Sequence, residues 1–263
     1  MEVELQTIER KENTGNSACG CGSGGCGSHS GGDKKAEADC ETPSKYQLIH
    51  EGDRVVEFGS GLGRDSVSMA PAVGPTGKVI GIDKSEQNIT AAREYIDSLK
   101  ISNVEFRHGD IEAVPLPKEY ANVIYSSCVF NLQANKQKVA DEMYRICDHS
   151  GLVCVSDFVT INPIPDDLRK EASEVAGCIA GAEDVETFMN YFRKTGFNSG
   201  GIVEVNKVKL PDELLEKYLT AEMIQKYNDI DSDDGIFSVT LVVEKPETCS
   251  AETCCGNPDK HKN

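Results

Sequence analysis

Val55-Val56-Glu57-Phe58-Gly59-Ser60-Gly61-Leu62-Gly63-Arg64-Asp65 joins an apolar run to a charged, helix-competent stretch through three alternating glycines. The apolar run follows the turn His50-Glu51-Gly52-Asp53 and reads as a strand, so the glycines fall at a strand-to-helix connection. Glycine there lets the backbone approach a ligand closely, and the N-terminus of the following helix favours an anionic group. The spacing is G-x-G-x-G after an acidic residue, whereas the dinucleotide fingerprint is G-x-G-x-x-G. A tight turn that binds nothing is the plain alternative, and the next two strand ends argue against it. Asp83 closes the run Val79-Ile80-Gly81-Ile82, where a carboxylate can accept bonds from ribose hydroxyls, and Asp110 follows Val104-Glu105-Phe106 by way of His108-Gly109. A glycine loop and two acids on three consecutive strand ends predict a nucleoside pocket.

Outward from this stretch, β and α signals alternate. Val123-Ile124-Tyr125 and Leu152-Val153-Cys154-Val155 read as the fourth and fifth strands, and helical periodicity such as Ile89, Ala92, Arg93 and Ile96 fills the gaps. The expected fold is α/β, a doubly wound, mostly parallel sheet of Rossmann-like type. Pro163 and Pro165 break the rhythm. Beyond them we expect helices over residues 168–178 and 185–194, a strand over 202–208, a helix over 211–227 and a closing strand over 237–243. Residues 3–12 suit a short polar helix, and the Gly-, Ser- and Cys-rich stretch after them cannot bury a core alone. The expected division is a Cys/Gly-rich segment at 1–45, a nucleoside-binding core at 46–160, substrate-capping helices and closing strands at 161–246, and a Cys-containing tail at 247–263.

Composition narrows the partners. With 27 basic and 44 acidic residues among 263, the formal charge is −17, which repels phosphate backbones and anionic lipid, so neither nucleic acid nor a membrane is expected as a partner. The opening Met1-Glu2-Val3-Glu4-Leu5 is charged, no apolar run approaches membrane-spanning length, and a cytoplasmic location is expected. Eleven cysteines in a reducing compartment point to metal, metalloid or catalytic use before a disulfide framework. Cys128 draws the most attention, because Ser126-Ser127-Cys128-Val129-Phe130-Asn131-Leu132 directly follows the fourth strand, and ligands in such sheets bind just beyond the strands' carboxyl ends.

The glycine loop, Asp83 and Asp110 together resemble the class I S-adenosylmethionine-dependent methyltransferases over roughly residues 46–243. The resemblance implies that Glu57, Gly59, Ser60, Gly61 and Gly63 meet the methionine end of the cofactor. It further implies that Asp83 meets the ribose hydroxyls and Asp110 with Ile111 the adenine, and that Lys84 and Ser127 also bind the cofactor. A narrower likeness lies in Gly59-Ser60-Gly61-x-Gly63-Arg64-Asp65, Ser126-x-Cys128-Val129-x-Asn131-Leu132 and Cys178-x-x-Gly181-Ala182, which are similar to arsenite methyltransferases. That likeness implies that Cys128 and Cys178 bind arsenic, with a third thiol from an N-terminal loop, where Ser17-Ala18-Cys19 is the best match among Cys19, Cys21, Cys26 and Cys40. It also implies a small substrate, arsenite or its thiol complex, and a thiol reductant such as thioredoxin or a small thiol. Two features depart from the family: the usual tyrosine-glycine helix motif is missing, and Gly177 stands where a glutamate is usual.

The implied chemistry suits the residues. Trivalent arsenic is soft and prefers three sulfur ligands in a pyramid. Its lone pair can then face a sulfonium methyl, so transfer needs alignment and exclusion of water more than a base. Other features read more plainly. Cys147 and Cys154 suit small buried apolar positions. The N-terminal cysteines lack the paired C-x2-C knuckles of a zinc site. Asp229-x-Asp231-x-Asp233-Asp234-Gly235 has Asp at the sixth position and Thr240 at the twelfth, so it fails as a calcium loop and reads as a polar turn. The expected function is methyl transfer from S-adenosylmethionine to thiolate-bound arsenic. The alternatives are another small thiol, carbon or metalloid acceptor on the same fold, or a noncatalytic metalloid-binding protein.

Overall fold

A computed structural model of the chain describes residues 11–12, 48–197 and 199–247. In chain order the strands are β1 (Lys11–Glu12), β2 (Arg54–Phe58), β3 (Lys78–Asp83), β4 (Val104–His108), β5 (Ala121–Ser127), β6 (Cys147–Thr160), β7 (Glu183–Asp184), β8 (Ser199–Lys207) and β9 (Ile236–Glu244). They form one sheet in the order β1-β8-β9-β6-β5-β2-β3-β4, with β7 beside β6. From β4 across to β6 the pairing is parallel, while β9 runs antiparallel to both β6 and β8. This is the expected doubly wound, mostly parallel sheet.

Helices α1 (Arg64–Val73), α2 (Glu86–Leu99) and α3 (Lys136–Ile146) carry the chain between the parallel strands. Alternation along each strand divides the core into two faces. Val55, Val79, Val104 and Tyr125 pack with Met69, Val73, Ile89 and Ile96 of α1 and α2. Their neighbours Val56, Phe58, Ile80 and Ile124 pack with Val139 and Met143 of α3 and with Phe188 and Phe192 of α5 (Val185–Thr195). Local sequence sets the helix starts: Ser85, Asn135 and Asp184 each accept a bond from the third residue beyond, as N-caps do.

A third apolar cluster belongs to neither face. It joins Cys128 and Phe158 at the ends of β5 and β6 to Leu168, Cys178, Ile179, Leu215, Tyr227 and Ile236. Here the local expectations need correction. Residues 168–178 are not one helix: α4 (Asp166–Glu171) gives way to two short 3-10 turns, Ala172–Glu174 and Gly177–Gly181. The helix expected over 211–227 is two, α6 (Asp212–Tyr218) and α7 (Ala221–Asn228), because Thr220 caps a new start by accepting from the Met223 N–H. Lys11–Glu12 pairs with β8 as a strand instead of ending a helix. The polar stretch after α7 turns around Lys207, whose buried ammonium donates to the carbonyls of Asp229 and Ser232. No helix among the described residues is long and apolar enough to cross a membrane.

Candidate functional site

The chain leaves β2 outward to β3 and β4, then returns to β5 on the other flank of β2. The order reverses there, and sheets of this kind bind ligands in the crevice beyond the carboxyl ends of the two strands concerned. The glycine loop fills one lip of that crevice. Gly59 and Ser60 donate their N–H groups to the Ile82 carbonyl at 2.8 and 3.0 Å, and Gly61 donates to Asp83 Oδ2 at 2.9 Å. Gly59, Gly61 and Gly63 all have positive φ, at 72°, 50° and 80°. A Cβ on Gly63 would lie 2.3 Å from the Phe106 ring and one on Gly59 2.5 Å from Val129, so both must be glycine. At Gly61 a Cβ would meet nothing within 4 Å, which marks the open side of the loop. Glu57 lies beneath, buried, accepting the Ser66 hydroxyl and tying β2 to α1.

Hydrogen bonds draw three of the expected elements together: the loop, Asp83 and the end of β4, where Gly109 donates to the Asp83 carbonyl at 3.0 Å. Asp83 Oδ1 also accepts from Ser85 N–H and from the Asn88 amide, so it starts α2 as well as bracing Gly61. Asp110 is exposed and accepts from Glu112 N–H at 2.8 Å, while Ile111 is buried in the core. Lys84 is exposed, and its carbonyl lies 3.0 Å from His108 Nε2, a structural role for that histidine. Ser127 is half-buried and hydrogen-bonded to Tyr125.

The other lip holds sulfur. Cys128 follows β5 with φ 53°, is 6% exposed, and donates its N–H to the Ser156 carbonyl on β6 at 2.8 Å. Cys178, fully buried in the turn Gly177–Gly181, falls in the same apolar cluster as Cys128. Cys147 and Cys154 are also buried, and burial pushes the Cys147 thiol up to about 12, leaving it an inert apolar filler. Cys19, Cys21, Cys26, Cys40, Cys249, Cys254 and Cys255 lie outside the described residues, and the described residues alone contain no set of three ligands for a metal.

A methyltransferase-domain family model matches residues 49–196. The chain belongs to that family. It is 35% identical over 205 residues to an arsenite methyltransferase of Halobacterium salinarum, covering 78% of this chain and 49% of the relative. To the arsenite methyltransferase of Homo sapiens it is 30% identical over 174 residues, covering 63% of this chain and 46% of the relative. The chain thus spans about half the length of the curated relatives it matches. Among solved structures, the arsenic(III) S-adenosylmethionine methyltransferase of Chlamydomonas reinhardtii superposes with a TM-score of 0.59 at 23% identity, covering 79% of this chain and 71% of that one, a likeness of fold.

S-Adenosylmethionine is the cofactor of this methyltransferase fold, and the crevice fits it. Ser60 Oγ and Ser126 Oγ are buried without a hydrogen-bond partner among the described residues, one on each lip, an arrangement that costs free energy unless a ligand or water completes it. The open side of Gly61 leaves room for an occupant beside the loop, and the half-buried carboxylate of Asp83, which already accepts from Gly61, Ser85 and Asn88, borders it. Sequence reasoning missed Ser126, and it missed Phe106 and Val129, which shape the loop from outside. It also passed over Asp157, although a carboxylate near the end of an apolar run was the signal that singled out Asp83.

Proposed function

We propose that the chain methylates trivalent arsenic, holding it on Cys128 and Cys178. The carrying observation is that these two thiols, far apart in sequence, are buried in one apolar cluster beside the crevice of a methyltransferase fold. The names of the curated relatives support the acceptor.

In this reading Glu57, Gly59, Ser60, Gly61 and Gly63 hold the methionine end of the cofactor, Asp83 its ribose, and Asp110 and Ile111 its adenine, with Lys84 and Ser127 also on the cofactor. The cofactor supplies an electrophilic methyl on sulfur. Cys128 and Cys178 supply two soft thiolates, and a third comes from Cys19 or one of Cys21, Cys26 and Cys40. Phe158, Leu168, Ala176 and Ile179 line the cluster and exclude water, so alignment carries the chemistry and no base is needed. Residues 161–246 act as the cap over a cofactor core at 46–160. A thiol, either small or a thioredoxin-like protein, keeps the sulfurs reduced and delivers arsenite as its thiol complex.

The test offers arsenite, glutathione and methyl-labelled S-adenosylmethionine to the purified chain, followed by separation of arsenic species by chromatography and mass spectrometry. Label in methylarsenic species is the expected outcome. A folded, cofactor-binding chain that labels no arsenic would overturn the reading and move it to another small acceptor.

A further inference from the structure

We propose that Asp157, Asn131 and Gly181 form a brace that fixes the separation of the two thiol-bearing turns, with Asp157 and Gly181 as positioning residues; this rests on the reading that Cys128 and Cys178 share one arsenic. Asp157 is 1% exposed. One of its oxygens accepts the Asn131 N–H and the other the Phe158 N–H, each at 2.9 Å. Asn131 returns its side-chain amide to the Phe158 carbonyl at 2.7 Å. The segment carrying Cys128 therefore cannot slide along β6 without leaving a buried carboxylate short of donors, which is costly.

The second turn rests on the first. A Cβ built on Gly181 would lie 2.1 Å from the Asn131 carbonyl oxygen, so the two backbones are in direct contact. The end of the Cys178 turn is then gripped from two further elements. Lys136 on α3, only 10% exposed, donates to the Gly181 carbonyl at 2.9 Å and pairs with Glu183 at 3.3 Å. Arg169 on α4 donates to the Ala182 carbonyl at 2.7 Å. Held this way, the two sulfur-bearing segments keep their spacing before any metalloid arrives, and chelation has less conformational freedom to remove.

Phenylarsine oxide is the probe, because it takes two thiols. Two S–As bonds form, the oxide oxygen leaves as water with the two thiol protons, and arsenic stays trivalent. The background is the 263-residue chain with Cys19, Cys21, Cys26, Cys40, Cys249, Cys254 and Cys255 changed to Ser. Adducts are counted by intact mass, and affinity is ranked by competition with dithiothreitol. One adduct per chain is expected, lost in Cys128→Ser and in Cys178→Ser. Gly181→Ala must move the Asn131 carbonyl by about an ångström, and displacements of that size cost alignment severely; the expected loss of affinity is about tenfold or more, with S-adenosylmethionine affinity held within about twofold. Should Gly181→Ala fail to unfold cooperatively, Asp157→Asn takes its place, because the amide NH2 cannot accept one of the two N–H bonds that the carboxylate accepts, with a loss of at least about threefold expected. Affinity within about twofold of the parent in the deciding variant overturns the brace while leaving the shared-arsenic reading intact. Absence of any adduct dependent on Cys128 and Cys178 in the parent overturns both.

Discussion

Two turns leave the carboxyl ends of neighbouring strands at the crevice, and both enter the left-handed backbone region, but with different residues. After β2 the entry is made by Gly59, Gly61 and Gly63; after β5 it is made by Cys128 at φ 53°. Glycine occupies that region freely, whereas an L side chain costs about 1–2 kcal/mol there. The cofactor turn is shaped by missing side chains, two of which would strike Val129 and Phe106. The thiol turn retains a side chain where glycine would be the cheaper residue. Lys100, Glu119 and Ser150 stand at similar φ, so the backbone alone does not mark Cys128; what separates it from them is its burial beside the crevice in the cluster that also holds Cys178.

The sharpest way to separate the two turns is to remove the sulfurs. Cys128→Ser and Cys178→Ser should each lower arsenic methylation by at least about 100-fold, and the double variant should be no worse, since residues acting as one unit are non-additive. Calorimetry should find S-adenosylmethionine affinity unchanged, because the residues proposed to hold the cofactor's methionine end lie in the other turn. Robust methylation by the double variant would dissolve the distinction.

The reverse experiment disables the cofactor turn. Asp83→Ala should weaken S-adenosylmethionine by about 1.5–3 kcal/mol, the range for hydrogen bonds to a charged group. Two losses are combined in that figure, because Asp83 also holds the Gly61 N–H and starts α2 through Ser85 and Asn88. Phenylarsine oxide binding at the cysteines should not change. An Asp83→Ala chain that binds cofactor like the parent would remove the ribose role.

The same pair of turns shows what a sequence can and cannot disclose. The cofactor half is local: apolar runs, glycines at a strand end and acids at the next two lie within about sixty residues and signal their own geometry. The cap is not. The helical spacing of Leu168, Ala172 and Val175 runs on past Glu171, where the α-helix already gives way to two 3-10 turns, and the reason Gly181 must be glycine is a carbonyl on Asn131, far away in sequence. Lys11–Glu12 likewise is a strand only through its pairing with β8. Cys128 and Cys178 could be named from family resemblance, but their burial in one cluster, and the Asp157 brace behind it, depend on tertiary contacts that no local pattern encodes.

A change below both turns provides the control. Hydrogen bonds from Arg107 and then Lys78 hold the Glu105 carboxyl on β4 far below the ordinary range, at about 2. A folded-state value below the unfolded 4.5 means that the ion pairs stabilise fully above about pH 4.5, and that this stabilisation is lost as pH falls toward 2. The side chain is 36% exposed, so solvent screening leaves about 1 kcal/mol. Urea midpoints of Glu105→Gln should therefore fall below the parent at pH 7 and converge with it in acid, with methylation and arsenic binding untouched. A gap that widens in acid would reverse the assigned sign.

The smallest effect makes the two turns alike. Cys128→Gly and Cys128→Ala both remove the sulfur and should both abolish methylation, so activity cannot tell them apart. Stability is the readout. Alanine keeps the left-handed cost of about 1–2 kcal/mol, and glycine relieves it while losing about 0.5–1 kcal/mol to the greater freedom of its unfolded chain. Alanine's one buried carbon, worth about 0.8 kcal/mol, offsets the remainder, so the two variants should agree within about 0.5 kcal/mol in urea unfolding. The difference is measured between two variants that lack the same thiol, so buried sulfur and bound arsenic drop out of it, and what remains is the backbone at φ 53° and the one buried Cβ that alanine keeps. If alanine proved the more stable by more than about 1 kcal/mol, the turn after β5 would carry no backbone cost, and the reason to assign its side chain a task beyond packing would rest on the sulfur's surroundings alone.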